Sequence, residues 1–282
     1  MASRTSAKRS PKPDAIAVVG REKIEGLARG LSVIRAFSAA GPSCTLTEIS
    51  NVTGLSPAAV RRCLHTLEDL GYAGRSGRQF FLRPRVLDLG AAYLDSVNSE
   101  TLATDYLQDV VEASGHSSSL ATLDETDIVY LAHAGARRPL RIEAGIGTRY
   151  PAYTTSMGRV MLAALSRAEL RAVLVASEPK KLTRHTVTDL QQLADLIKAA
   201  HEEGYAMVED QLAIGIMSIA VPVKDQAGRV VAAINCSAQT GETTQRALKR
   251  FLPILNETSA RITHVIRYFP ALTMQFRGPN GE

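Results

Sequence analysis

Residues 45–82 read TLTEISNVTGLSPAAVRRCLHTLEDLGYAGRSGRQFFL, and the order of signals in this stretch decides the fold of the first third of the chain. Thr45-Leu46-Thr47-Glu48 has the S/T-x-x-E form of a capping box. It opens a helix with Leu46, Ile49 and Val52 on its inner face, and Gly54 stands where a left-handed C-cap is wanted. Ser56 and Pro57 then supply an N-cap and a first helical residue. Val60, Leu64 and Leu67 form the apolar stripe of this next helix, and Gly71 ends it. Two short strand-like runs around Gly74-Arg75-Ser76-Gly77-Arg78 read as a hairpin. Upstream, Leu27, Leu31, Ile34 and Phe37 recur at helical spacing from Glu22 to Ala39, and Gly41-Pro42 stops that helix. Three short helices followed by a basic-tipped hairpin is the winged helix-turn-helix order.

The charge distribution agrees. Residues 1–85 hold 14 Lys and Arg against 6 Asp and Glu, a net of +8; residues 86–282 hold 19 against 22, a net of −3. The whole positive excess therefore sits in the first third, which suits a module for a polyanion. An α-helix fits the DNA major groove. Its readers here are Ser56, Ala58, Arg61, Arg62 and His65 on the outer face of the third helix. Thr47 joins them from the preceding helix, and Arg75 and Arg78 lie at the hairpin tip, placed for phosphates or the minor groove.

The chain has 282 residues, a length that suggests two domains. Residues 1–20 read as a disordered basic arm, 21–83 as the winged helix-turn-helix domain and 84–99 as a linker helix. Leu87, Ala91, Leu94 and Val97 give the linker an apolar seam suited to dimerisation or to burial within the monomer. Residues 100–270 mix helices with strand hairpins, and 271–282 read as a C-terminal tail. In the larger segment helices are expected at 101–113, 156–165, 167–176, 189–203 and 244–268, the last kinked at Pro253. Strands are expected at 118–123, 128–133, 140–144, 205–209, 217–223 and 230–237. The fold class is α+β with a mostly antiparallel sheet.

Several functions are disfavoured. No apolar run reaches the roughly 18 residues of a membrane span, and no apolar stretch near the N-terminus precedes a cleavage site, so a cytoplasmic protein is expected. Cys44, Cys63 and Cys236 form no CxxC pair, and His65, His116, His133, His185, His201 and His264 show no ligand spacing, so no metal site is indicated. The G-x-S-x-G, P-loop and H-E-x-x-H motifs are absent; no cofactor and no catalytic residues are expected.

LARGLSVIRAF (27–37), residues 45–75, PAYTTSMGRVMLA (151–163), GYAMVEDQLAIGIMSIAVPVKDQAGRVVAAINCS (204–237) and the closing helix together resemble the IclR family of bacterial transcriptional regulators over residues 24–268. Within it, TSMGR and AAINCS look closest to the branch regulating protocatechuate and 4-hydroxybenzoate catabolism, the PcaR, PcaU and PobR types. The resemblance implies a C-terminal GAF-like effector domain, and dimers or dimers of dimers on palindromic promoter DNA that repress, activate or both. It also implies a small-molecule pocket at Ser156, Met157, Glu209, Ser218, Asn235 and Ser237, suited to a small carboxylic acid. Ser156 and Met157 would offer helix-N-terminal N–H groups. Met157 is bulkier than the Gly or Ala common at its position, and Glu209 replaces a frequent Asp. A constitutive DNA-binding protein whose C-terminal domain only oligomerises remains the alternative.

Overall fold

The computed structural model describes residues 24–97, 99–136, 144–241 and 244–265. They fall into two compact units that divide between Leu89 and Gly90. The arm at 1–20, the tail at 271–282 and most of the strand expected at 140–144 lie outside the described residues.

In the first unit, α1 (Glu25–Ala40), α2 (Leu46–Thr53) and α3 (Pro57–Asp69) precede a hairpin of β2 (Ala73–Ser76) and β3 (Gln79–Leu82). The local chemistry follows the sequence. The Thr45 hydroxyl accepts the Glu48 N–H while the Glu48 carboxylate accepts the Thr45 N–H, a complete capping box. These bonds hold the Glu48 carboxyl below its ordinary pKa. Gly54 caps α2 in the left-handed region, φ 69°, and Ser56 caps α3 through the Ala59 N–H. A two-residue strand that the sequence did not signal, β1 (Cys44–Thr45), pairs with β3, so the wing is a three-stranded sheet in the order β1-β3-β2.

The inner faces of α1 and α2 differ from expectation. Val33, Ala36 and Phe37 of α1 enter the core with Ile49, Val60, Leu64 and Leu67, whereas Leu27 and Leu31 are 61% and 48% exposed. On α2, Ile49 and Ser50 are buried and Val52 is exposed. Helix α1 carries two apolar stripes, and only one of them faces its own core.

A 3₁₀ turn at Pro84–Val86 leads into α4 (Leu87–Val97), a helix within the segment 84–99 read above as a linker; on its apolar seam Leu87 and Ala91 are exposed. α5 (Ser99–Ser114) follows. The second unit is built on β4 (Ser117–Asp124), β5 (Asp127–Ala134), β6 (Arg149–Pro151), β7 (Ala206–Glu209), β8 (Ile216–Lys224) and β9 (Val230–Gln239). They form one antiparallel sheet in the order β6-β5-β4-β9-β8-β7. The edge strand β6 was not anticipated. α5 and α9 (Thr244–Val265) cover one face of the sheet, where Leu107, Val110, Phe251 and Leu255 meet Leu131, Ile219 and Val221. Helix α9 runs through Pro253. α6 (Ser156–Leu162), α7 (Arg167–Ala176) and α8 (Leu190–Glu203) form the second layer, and its core joins Met157, Met161, Leu174, Leu193 and Ile197 to Ala121, Ala220 and Ala233. The small strand residues on that face let α6 approach the sheet closely. The result is the α+β architecture expected, with a curled antiparallel sheet between helices.

Candidate DNA-reading face and effector cavity

In the first unit, Thr47, Ser56, Ala58, Arg61, Arg62, His65, Arg75 and Arg78 are all exposed. Ala58, Arg61, Arg62 and His65 follow i, i+3, i+4, i+7 spacing, so they share the outer face of α3. Within that set, Ser56 spends its hydroxyl on the helix cap. The His65 ring lies 3.1 Å from the Glu68 carboxylate. Arg61 is exposed and has no ion-pair partner among the described residues. Arg75 and Arg78 sit on β2 and on the Gly77-Arg78 turn of the wing. The second apolar stripe of α1 lines a separate groove of about 550 Å³ with Ile34, Cys63, Leu70 and Leu89.

In the second unit, a cavity of about 30 Å³ lies between α6 and the sheet. Its floor is a buried polar network. The Asn235 side-chain carbonyl accepts the Ser119 N–H at 2.9 Å, and its amide donates to the hydroxyls of Ser218 and Ser237 at 3.0 and 2.9 Å. The Ser156 and Ser218 hydroxyls are 2.8 Å apart. Strand register creates this cluster. Ser218 pairs with Ser237 between β8 and β9, Ser119 pairs with Asn235 between β4 and β9, and alternate residues share a face. Ser156, Met157, Ser218, Asn235 and Ser237 thus meet at one cavity.

Glu209 does not join them. It is exposed and lies on the same side of β7 as Met207, which packs on the α5/α9 core; Val208 lines the cavity instead, opposite Ser218. The period-2 alternation of a strand sends the two neighbours to opposite faces. Met217, the neighbour of Ser218 on β8, likewise faces the α5/α9 core. The Tyr153 hydroxyl is taken up by the Lys180 backbone. The helix-terminus argument at Ser156 is also weaker than the sequence implied. α6 has seven residues, and the Thr155 hydroxyl already accepts the Gly158 N–H.

Tyr130 is a site residue that sequence reasoning passed over. It is buried against the cavity and stacked edge-on to Tyr150 with ring centroids 5.9 Å apart. No hydrogen-bond partner meets its hydroxyl among the described residues, and burial raises its pKa well above the phenolic range. The signal available was its place in a run of small and apolar strand residues, where a lone tyrosine hydroxyl needs a partner.

His133 borders the same network. Its Nδ1 lies 2.9 Å from the Ser119 hydroxyl, and burial pushes its imidazole below the ordinary value. A histidine whose folded pKa is depressed binds its proton more readily in the unfolded chain. Its contribution to stability is therefore present above the ordinary imidazole pKa of about 6.5 and is lost as pH falls towards the lower folded value. Thermal unfolding between pH 7 and pH 5 is expected to show this loss, and His133→Gln to flatten the slope. An unchanged slope in the variant would place the titration elsewhere.

A winged reading head joined to a helix-flanked antiparallel sheet with an internal polar cavity defines a DNA-binding transcriptional regulator with a ligand-domain fold. The family model described as the IclR helix-turn-helix domain matches residues 26–77. The model described as the bacterial transcriptional regulator IclR C-terminal domain matches residues 91–264. The chain belongs to the IclR family of bacterial transcriptional regulators. It is 42% identical over 240 residues to the Pca regulon regulatory protein of Pseudomonas putida, covering 84% of this chain and 82% of that one. It is 30% identical over 249 residues to the p-hydroxybenzoate hydroxylase transcriptional activator of Acinetobacter baylyi, covering 86% and 92%. Among solved structures, a putative transcriptional regulator from Rhodococcus sp. RHA1 superposes with a TM-score of 0.75 at 36% identity, covering 87% and 99%. An IclR homologue from Microbacterium hydrocarbonoxydans, complexed with 4-hydroxybenzoate, shares the fold with a TM-score of 0.70 at 22% identity, covering 86% and 99%. These relatives are regulators rather than enzymes, and the aromatic-acid regulators are among them. No described helix is long and apolar enough to cross a membrane.

Proposed function

We propose that this cytoplasmic regulator binds palindromic promoter DNA as a dimer or dimer of dimers and changes its DNA affinity when a small carboxylic acid enters the α6/sheet cavity. An aromatic acid or a β-ketoadipate-pathway metabolite is the ligand class favoured. The observation that carries this reading is the cavity itself: three serine hydroxyls and Asn235, pre-bonded to one another, with Tyr130, whose hydroxyl has no hydrogen-bond partner among the described residues, lining the same cavity. Such a set offers donors to a carboxylate and an aromatic wall to a ring. The names of the relatives point to the same chemistry.

The apolar groove on α1, α3 and α4 supports a dimer. Exposed Leu27, Leu31, Leu70, Leu87 and Leu89 form more apolar surface than a lone reading head needs, and a second copy would cover it. A dimer reads two half-sites, which gives a short recognition helix the specificity it lacks alone.

The test is titration of a fluorescent promoter fragment, selected by the protein from random DNA, with and without protocatechuate or 4-hydroxybenzoate. A change in apparent Kd with acid is expected; identical curves at saturating acid would leave a constitutive binder. On the same fragment, Arg61→Ala is expected to cost about 1–3 kcal/mol, with much less loss on unrelated DNA. Equal loss on both DNAs would make Arg61 a phosphate contact.

A further inference from the structure

Arg159 is an anomaly in the second unit. It lies on α6, and only 3% of it is exposed. Its Nε donates to the Tyr153 carbonyl at 3.1 Å, and one terminal nitrogen donates to the Gln211 side-chain carbonyl at 2.6 Å. Both acceptors are neutral, and no carboxylate pairs with it among the described residues. Burial lowers its pKa to about 10, which still leaves it protonated at neutral pH. A buried charge is normally paired with an opposite charge. Arg159 keeps its charge against a glutamine.

The glutamine sits in the turn between β7 and β8. Asp210 there has a left-handed backbone, φ 57°, with its carboxylate committed to the Gly215 N–H at 2.6 Å. The Thr183 and Thr186 hydroxyls donate to the carbonyls of Asp210 and Gln211 at 2.6 and 2.7 Å. Leu212, next in the chain, closes one side of the cavity. The Gln211 side-chain carbonyl also accepts the Val187 N–H at 3.4 Å, so hydrogen bonds from Arg159 and from residues 183–187 hold the turn in this position. At about 30 Å³ the closed cavity holds one or two water molecules, whereas ligand clefts run to roughly 300–1,000 Å³. Any organic acid must therefore displace part of the wall, and Leu212 of this turn is part of that wall. Arg159 starts one helical turn from Ser156, whose hydroxyl is in the cavity, so the two side chains are neighbours on α6.

We propose that Arg159 is the charge partner of the effector: Gln211 occupies its guanidinium while the cavity is empty, and the carboxylate of the entering acid replaces Gln211 as the turn shifts. This rests on the carboxylic-acid reading above and adds to it the residue that selects an anion. The exchange is favourable because a charged acceptor replaces a neutral one on a planar guanidinium. It also ties occupancy to the position of the 210–215 turn.

Three full-length proteins decide it: wild type, Arg159→Gln and Gln211→Glu. Binding is read by thermal unfolding and calorimetric titration with 4-hydroxybenzoate, protocatechuate and the neutral isostere 4-hydroxybenzamide. Wild type is expected to prefer the acids to the amide by roughly 10- to 100-fold, and Arg159→Gln to lose that preference. In Gln211→Glu an internal carboxylate holds Arg159, so unfolding without ligand moves to higher temperature. Acid affinity in that variant falls by roughly 10- to 100-fold while amide binding changes little. If Arg159→Gln fails to fold, Gln211→Glu decides alone. Acid binding at wild-type affinity in Gln211→Glu would overturn the proposal and leave the carboxylic-acid reading standing. Wild type that binds neither acid would overturn both.

Discussion

Gly158→Ala is expected to cost more than about 3 kcal/mol and to lower the unfolding temperature of the second unit by roughly 6–12 °C or more. Gly158 lies on α6 under the turn that precedes the helix. A Cβ built on it would fall 2.1 Å from the Ala152 carbonyl oxygen and 2.5 Å from the Ala152 Cα. Those are backbone atoms, so no side chain can swing aside to make room. The same carbonyl accepts the Thr155 N–H and hydroxyl, which fixes it in place. Alanine would push α6 off the 3₁₀ turn Ala152–Thr154 and take Ser156 and Met157 with it. The usual gain in helix propensity from Gly to Ala, about 1 kcal/mol, is too small to offset this. Differential scanning calorimetry checks the result. An unfolding temperature equal to wild type would mean that α6 does not pack on Ala152 as described.

Asn235→Asp is expected to weaken acid binding by roughly two orders of magnitude while sparing the fold better than its chemistry first suggests. The Asn235 carbonyl oxygen already receives the Ser119 N–H, and the Ser218 and Ser237 hydroxyls can rotate to donate to a carboxylate. The new side chain thus keeps three donors around it. If the ligand carboxylate comes within about 5 Å of it, the repulsion is roughly 3 kcal/mol at an effective dielectric near 20, on the order of a 200-fold loss of affinity. Asn235→Ala removes the amide without adding charge. It leaves the buried Ser119 N–H unpaired at a cost of about 1–3 kcal/mol, and acid affinity should fall far less. Calorimetric titration of both variants separates charge from shape. Equal affinity in Asn235→Asp and wild type would put the carboxylate elsewhere in the domain.

Local chemistry made much of the fold legible. The capping box at Thr45 and Glu48, the left-handed Gly54 and the Ser56-Pro57 start are each set by residues within a few positions of one another, and each appears as read. So do the hairpins of β4–β5 and β8–β9, whose strands are apolar runs around polar turns. Elements that depend on distant partners were not legible. β1 and β6 are two and three residues long and exist because β3 and β5 offer them edges. Periodicity showed that α1 is apolar, but not that Leu27 and Leu31 form a stripe facing away from its own core.

The cavity followed the same division. Asn235 and Ser237 were placed together by strand alternation, and that rule holds in any sheet. Glu209 was carried over from the family resemblance, and one residue of register put Val208 in the cavity in its place. Arg159 went unread as a site residue because an arginine on a helix is ordinarily solvated. Only the three-dimensional packing of α6 under the turn before β8 shows it buried with neutral partners.

The central claim is that the second unit senses a small carboxylic acid. Thermal unfolding of the full-length protein against protocatechuate, 4-hydroxybenzoate, β-ketoadipate, glyoxylate and pyruvate tests it most directly. An acid at about 100 times its Kd should add roughly 2.7 kcal/mol and raise the unfolding temperature of that unit by roughly 5–11 °C. The account predicts such a shift for at least one of these acids, largest for an aromatic one. No shift with any of them, in protein that still binds its promoter fragment, would contradict it.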